Sequence, residues 1–193
     1  MSYPPSVSGS LIFQDGATER DFIAVSAQRS AIPDLYYEFK TSSTLTGNGS
    51  QLQTVVQTRA ASGQAPLLVL AQMEWTSRHL GNTKILITRP PVEMTSASFC
   101  IPAKEPGRRY FLMDLTGSGT KSQYVWARDK SSYTLTGPGN TLLARYERNQ
   151  TSSQPPHACM DIFFHDKTLL LMALVTLTLN RWLDGPNSPY PNA

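Results

Sequence analysis

Lys167-Thr168-Leu169-Leu170-Leu171-Met172-Ala173-Leu174-Val175-Thr176-Leu177-Thr178-Leu179-Asn180-Arg181-Trp182-Leu183 is the stretch whose reading decides the fold. Asp166 stands before it as an N-cap residue, and Asp184-Gly185-Pro186 follows as a stop. At about 100° per residue its apolar side chains fall on every face, and a helix apolar all round is enclosed by protein or placed in lipid. A tail anchor needs about 20 predominantly apolar residues. The unbroken run here is Leu169 to Val175, and Asn180 with Arg181 interrupts before Trp182. A strand would alternate, as Val175 to Leu179 does, but Leu169 to Leu174 does not alternate and is made of good helix formers. The spacing therefore predicts a helix over 166–183, buried in protein. Its nine Leu, Val and Met residues would forfeit on the order of 15 kcal/mol if exposed, which rivals the net stability of a whole domain.

Working outward, the preceding chain reads as short β-strands separated by Gly, Pro, Asn and Asp. Ser10–Gln14, Asp21–Ala27, Leu35–Lys40, Leu52–Arg59, Leu67–Trp75, Thr83–Thr88, Arg109–Asp114, Ser122–Arg128, Tyr133–Thr136, Leu142–Arg148 and Cys159–Phe164 are the main runs. A flat sheet covers one side of a rod, whereas a closed barrel covers all of it. The expected fold class is thus mainly β: a roughly twelve-stranded closed barrel enclosing one hydrophobic C-terminal α-helix. The expected domain map is an N-terminal arm over 1–10, one domain over 11–184, and a C-terminal tail over 185–193.

Composition narrows the classes. Charged residues are 16% and hydrophobic residues 40%, which fits a globular interior and argues against disorder. The formal net charge of +3 is mild and unevenly spread. Between Lys104 and Arg148 eight basic side chains face four acidic ones, an excess of +4, while the remainder of the chain sums to −1. Cys100 and Cys159 are the only cysteines, with no disulfide framework or zinc spacing. No charged and then apolar leader opens the chain, so a cytoplasmic location is expected, with peripheral membrane association as an extension of it. Asn48-Gly49-Ser50 and Asn149-Gln150-Thr151 match the glycosylation pattern as turn sequences.

The order of Glu74-Trp75, then Lys84-Ile85-Leu86-Ile87, Tyr124-Val125-Trp126, Leu143-Ala144-Arg145-Tyr146, Met160-Asp161-Ile162-Phe163 and a closing apolar helix resembles a fungal family of unknown function with a tubby-like C-terminal fold. More distantly it is similar to the tubby, plant LURP-one and phospholipid-scramblase group. The resemblance covers roughly Leu35 to Leu183, and it implies a twelve-stranded barrel around a hydrophobic C-terminal helix. Tubby domains bind phosphoinositides through basic residues, but their lipid-site motif does not map residue by residue onto this chain.

No motif carries catalysis. Gly117-Ser118-Gly119-Thr120-Lys121 lacks the spacing and the following helix of a phosphate loop, and reads as a hairpin turn. His157 and Cys159 share a face by alternation, yet no second pair completes a zinc site, so a buried structural Cys159 and surface histidines are expected. His79 reads as a turn residue. Tyr124 and Trp126, at period-two spacing beside Arg128, read as core rather than as a nucleobase platform. The leading expectation is a non-enzymatic binding or scaffold domain without metal or cofactor. Its partners would be anionic phospholipid headgroups or an acidic protein, with no nucleic acid and no transmembrane span. The ligand-binding candidates, chosen on charge, are Lys104, Arg108, Arg109, Arg128, Lys130, Arg145 and Arg148. The competing readings are a small-ligand carrier or enzyme with a pocket at a barrel end, and a tail-anchored membrane protein.

Overall fold

The decisive helix forms where its sequence places it. In the computed structural model α1 spans Lys167–Leu183, and the Asp166 side chain caps it by accepting the Leu169 N–H at 2.7 Å. Every residue from Leu169 to Leu183 is buried, so the helix is enclosed on all faces. The structure describes residues 6–16, 18, 20–27, 36–46, 49–58, 68–75, 80–88, 91–115, 117–149 and 156–185.

What encloses α1 is one antiparallel sheet. Its strands are β1 (Gly9–Asp15), β2 (Phe22–Ser26), β3 (Tyr36–Thr46), β4 (Gly49–Thr58), β5 (Leu68–Trp75), β6 (Leu80–Ile85), β7 (Val92–Thr95), β8 (Ile101–Pro102), β9 (Arg108–Met113), β10 (Ser122–Asp129), β11 (Ser132–Thr136), β12 (Leu142–Arg148) and β13 (Ala158–Ile162). The spatial order is β7-β6-β5-β4-β3-β2-β1-β13-β12-β11-β10-β9-β8. Strands consecutive in sequence are neighbours in the sheet, except that β7 and β8 lie at opposite ends of the order and β13 returns to pair with β1 (Gly9 with Ile162, Leu11 with Met160), joining the two halves.

The expected closed, roughly twelve-stranded barrel is met in its strand number but not in its closure. Among the described residues thirteen strands form the sheet, and hydrogen bonding does not close it, because β7 and β8 are its two edges. β8 is only two residues long and ends in Pro102, which has no N–H to offer a further strand. A 3-10 segment, Ser96–Phe99, spans the interval between the edges and packs on β6, β7, β9 and α1. There the Ser96 and Thr83 hydroxyls meet at 2.6 Å.

The sheet nonetheless wraps the helix. Trp75 of β5, near one edge, packs on Trp182 with ring centroids 5.1 Å apart. Trp126 of β10, near the other edge, donates its indole N–H to the Thr176 hydroxyl at 2.9 Å. Period-two alternation explains which side chains turn inward: Leu11 and Phe13 on β1, Tyr124 and Trp126 on β10, and Ala158, Met160 and Ile162 on β13 are all buried. The buried apolar residues form one cluster. Of the proposed arm and tail, residues 1–5 and 186–193 lie outside the described residues, as does His79, while Ser8 already donates its N–H to Ile162 O.

Candidate functional site

The strand ends that meet at the C-terminal end of α1 hold a concentration of paired and unpaired charge. Asp184, the residue that follows α1, is the first focus. Its Oδ1 lies 2.8 Å from Arg109 Nη2 and 3.5 Å from Arg128 Nη1, and its Oδ2 accepts the Tyr133 hydroxyl at 2.8 Å. Arg109 Nη1 also donates to Asn180 Oδ1 at 3.0 Å. The Tyr133 hydroxyl is pushed well above its ordinary pKa, chiefly by burial and further by the Asp184 carboxylate. Asn180 completes this knot by donating to Thr176 O and to Cys100 Sγ. Burial pushes the Cys100 thiol up to about 12, so it is an inert core residue rather than a nucleophile.

Asp15, the last residue of β1, is the second focus. Its Oδ1 pairs with Arg181 Nη2 at 2.8 Å, and its Oδ2 lies 3.7 Å from Arg148 Nη2. Its backbone N–H donates to His157 Nδ1 at 2.9 Å. The Arg181 guanidinium lies against Phe22 and Tyr146, 5.2 and 5.5 Å from the two ring centroids. The Tyr146 hydroxyl is held above its ordinary pKa, mainly by burial, with Arg181 opposing and Asp15 adding to the rise.

The seven residues selected on charge separate into distinct environments. Arg109 is buried and spent on α1. Arg148 leans over Asp15 with a side chain 53% exposed. Arg145 projects outward from the middle of β12, between Thr134 of β11 and Asp161 of β13. The remaining four come together. Arg128 N–H donates to Gly107 O at 2.9 Å, which sets the turn before β9 beside the turn after β10. Arg108 and Arg128 are exposed there, with Lys104 and Lys130 exposed in the two turns. Arg108 pairs with Glu105, and Arg128 Nε donates to Lys130 O.

Charge counting missed Asp15, Tyr133, Tyr146, Arg181 and Asp184. Arg181 read as a break in an apolar run and Asp15 as a turn residue, because their partners are remote in sequence. Cys159 is also placed differently from expectation. It is exposed, since alternation on β13 turns Ala158 and Met160 inward instead. Among the described residues no group of three His, Cys, Asp or Glu could hold a metal ion, and no helix is long and apolar enough to cross a membrane.

A family model described as a family of unknown function, DUF6593, matches residues 23–181. No curated protein and no solved structure matches the chain.

Proposed function

We propose, for a chain that belongs to the family of unknown function DUF6593, a non-enzymatic binding role in which one end of the molecule holds anionic phospholipid headgroups. The observation that carries this reading is the Arg128-to-Gly107 hydrogen bond, which presents Lys104, Arg108, Arg128 and Lys130 side by side. A second feature supports it. Lys130 sits at φ 54°, a left-handed conformation that Gly or Asn adopts with less strain. A lysine kept there gives up stability of about 1 kcal/mol to place an ammonium group at the tip of the β10–β11 hairpin. In this reading the wrapped sheet is an open-seamed variant of the tubby-like barrel, and the protein is cytoplasmic and peripheral at membranes.

Vesicle flotation tests it. Vesicles of phosphatidylcholine containing a phosphoinositide should recover the protein at low salt, and recovery should fall as salt rises, because exposed charges are screened within about 10 Å at 0.1 M salt. Lys130→Gly should raise stability by up to about 1 kcal/mol while lowering recovery. Equal recovery on neutral and anionic vesicles would defeat the lipid reading.

A further inference from the structure

We propose that the Asp15 focus is a binding site for a small oxyanion that keeps an O–H, with Arg181, Tyr146 and Asp15 as its recognition groups. Among the described residues, the buried side-chain N and O atoms without a hydrogen-bond partner are Asp15 Oδ2, Arg20 Nε, Tyr146 Oη and Arg181 Nη1. Three of them belong to the Asp15 focus. Arg181, Tyr146 and Asp15 are in mutual contact, and Arg20 lies 5.3 Å from the centroid of Trp75, whose ring packs on Trp182. Buried polar groups in folded proteins are almost always paired, so three such atoms on the mutually contacting Asp15, Tyr146 and Arg181 call for a shared partner.

The atoms specify that partner. Arg181 is 7% exposed, and the rings of Phe22 and Tyr146 lie against its guanidinium, so its bonding capacity is directed along its edge. Asp15 Oδ1 takes one nitrogen on that edge and leaves Nη1 in need of an acceptor. Tyr146 Oη can donate as well, whereas Asp15 Oδ2 can only accept. Two arginines, Arg148 and Arg181, pair with the one carboxylate of Asp15, and this excess of positive charge favours an anion. The ligand must therefore offer several acceptor oxygens and one hydroxyl, as a protonated phosphate group does.

Arg148, half exposed and 3.7 Å from Asp15 Oδ2, links the cluster to the solvent-facing surface and would be a further donor to a bound anion. The inference does not rest on the lipid reading, whose residues lie on β9, β10 and their turns.

Calorimetry on the full chain at about pH 6, where a phosphate group retains a proton, separates the possibilities. Inorganic phosphate should bind, and sulfate, which has no O–H to give Asp15, should bind at least about ten-fold more weakly. Tyr146→Phe removes only a hydroxyl that has no protein partner. It should leave the Tm in phosphate-free buffer unchanged and weaken phosphate binding about ten-fold. Equal binding of phosphate and sulfate, an unaltered phosphate affinity in Tyr146→Phe, or no phosphate-dependent rise in Tm at about 10 mM would each overturn the proposal. Vesicles bearing a phosphomonoester headgroup identify the source. Recruitment of wild type but not Tyr146→Phe assigns the phosphate to a lipid, and equal recruitment of both assigns it to a soluble ligand.

Discussion

Asp184 Oδ1 stands 2.8 Å from Arg109 Nη2, with the two side chains 7% and 3% exposed. This pair ties the end of α1 to β9, across a sequence interval of 75 residues. Asp184→Ala would leave a buried guanidinium with Asn180 but without its countercharge, and would also remove the acceptor of the Tyr133 hydroxyl. The expected loss is about 3–5 kcal/mol in urea denaturation. Because the pair is buried, that loss should barely change between low and high salt. A loss under about 1 kcal/mol would mean the pair is effectively solvated.

Thr176 tests the enclosure of the helix from a different strand. Its hydroxyl accepts the Trp126 indole N–H at 2.9 Å and donates to Met172 O at 2.7 Å. Thr176→Val keeps the shape but orphans the buried N–H, at an expected cost of about 1–3 kcal/mol. Adding Trp126→Phe removes the orphan, so the double variant should lose less than the sum of the two single variants. Strict additivity in that cycle would show that the two side chains do not interact.

These two knots also mark the limit of what the sequence discloses. The helix was legible from an N-cap, a stop and apolar residues on every face, all local features. Most strands were legible from alternation and turn residues, β7, β8 and the start of β6 excepted, and Tyr124 and Trp126 were correctly read as core. Arg109 was read as surface charge, although it shares its parity on β9 with the buried Phe111, while Arg108 is exposed. That parity was the one available sign that it points inward. Arg181 carried no such sign. Burying a guanidinium is tolerable only beside Asp15, and no local pattern links positions 166 residues apart. Closure of the barrel was likewise inferred from the need to cover α1, a need that the Ser96–Phe99 segment helps to meet without a ladder between β7 and β8.

Gly81 on β6 is required for a steric reason rather than a conformational one. A Cβ there would stand 2.6 Å from Glu74 O and 2.9 Å from Glu74 C, where the β5–β6 register shifts. Backbone atoms must move to accept it, so Gly81→Ala should cost about 1–3 kcal/mol by denaturation. Gly119→Ala provides the contrast. No atom lies near its Cβ, but its φ of 83° carries a conformational cost of about 1–2 kcal/mol. Only the Gly81 variant should shift the environment of the neighbouring Trp75, read as a change in native tryptophan fluorescence. An unchanged Cm in Gly81→Ala would show that β5 and β6 are not this close.

Buried tyrosines set the alkaline limit of the fold. Burial pushes the Tyr37 hydroxyl up to about 12, and the Tyr133 hydroxyl is raised further by burial and by Asp184. Tyr124 and Tyr146 are raised as well, again chiefly by burial. An unfolded chain loses these protons near the ordinary value of about 10, so above it the unfolded state binds fewer protons than the native state. The stabilisation is fully present below about pH 10 and is lost as pH rises toward and through the folded values, amounting to about 2–3 kcal/mol for Tyr37 alone. Absorbance at 295 nm should therefore show these tyrosines ionising late and together with the loss of β-sheet circular dichroism. Ionisation of every tyrosine near pH 10 with the dichroism intact would contradict their burial around α1.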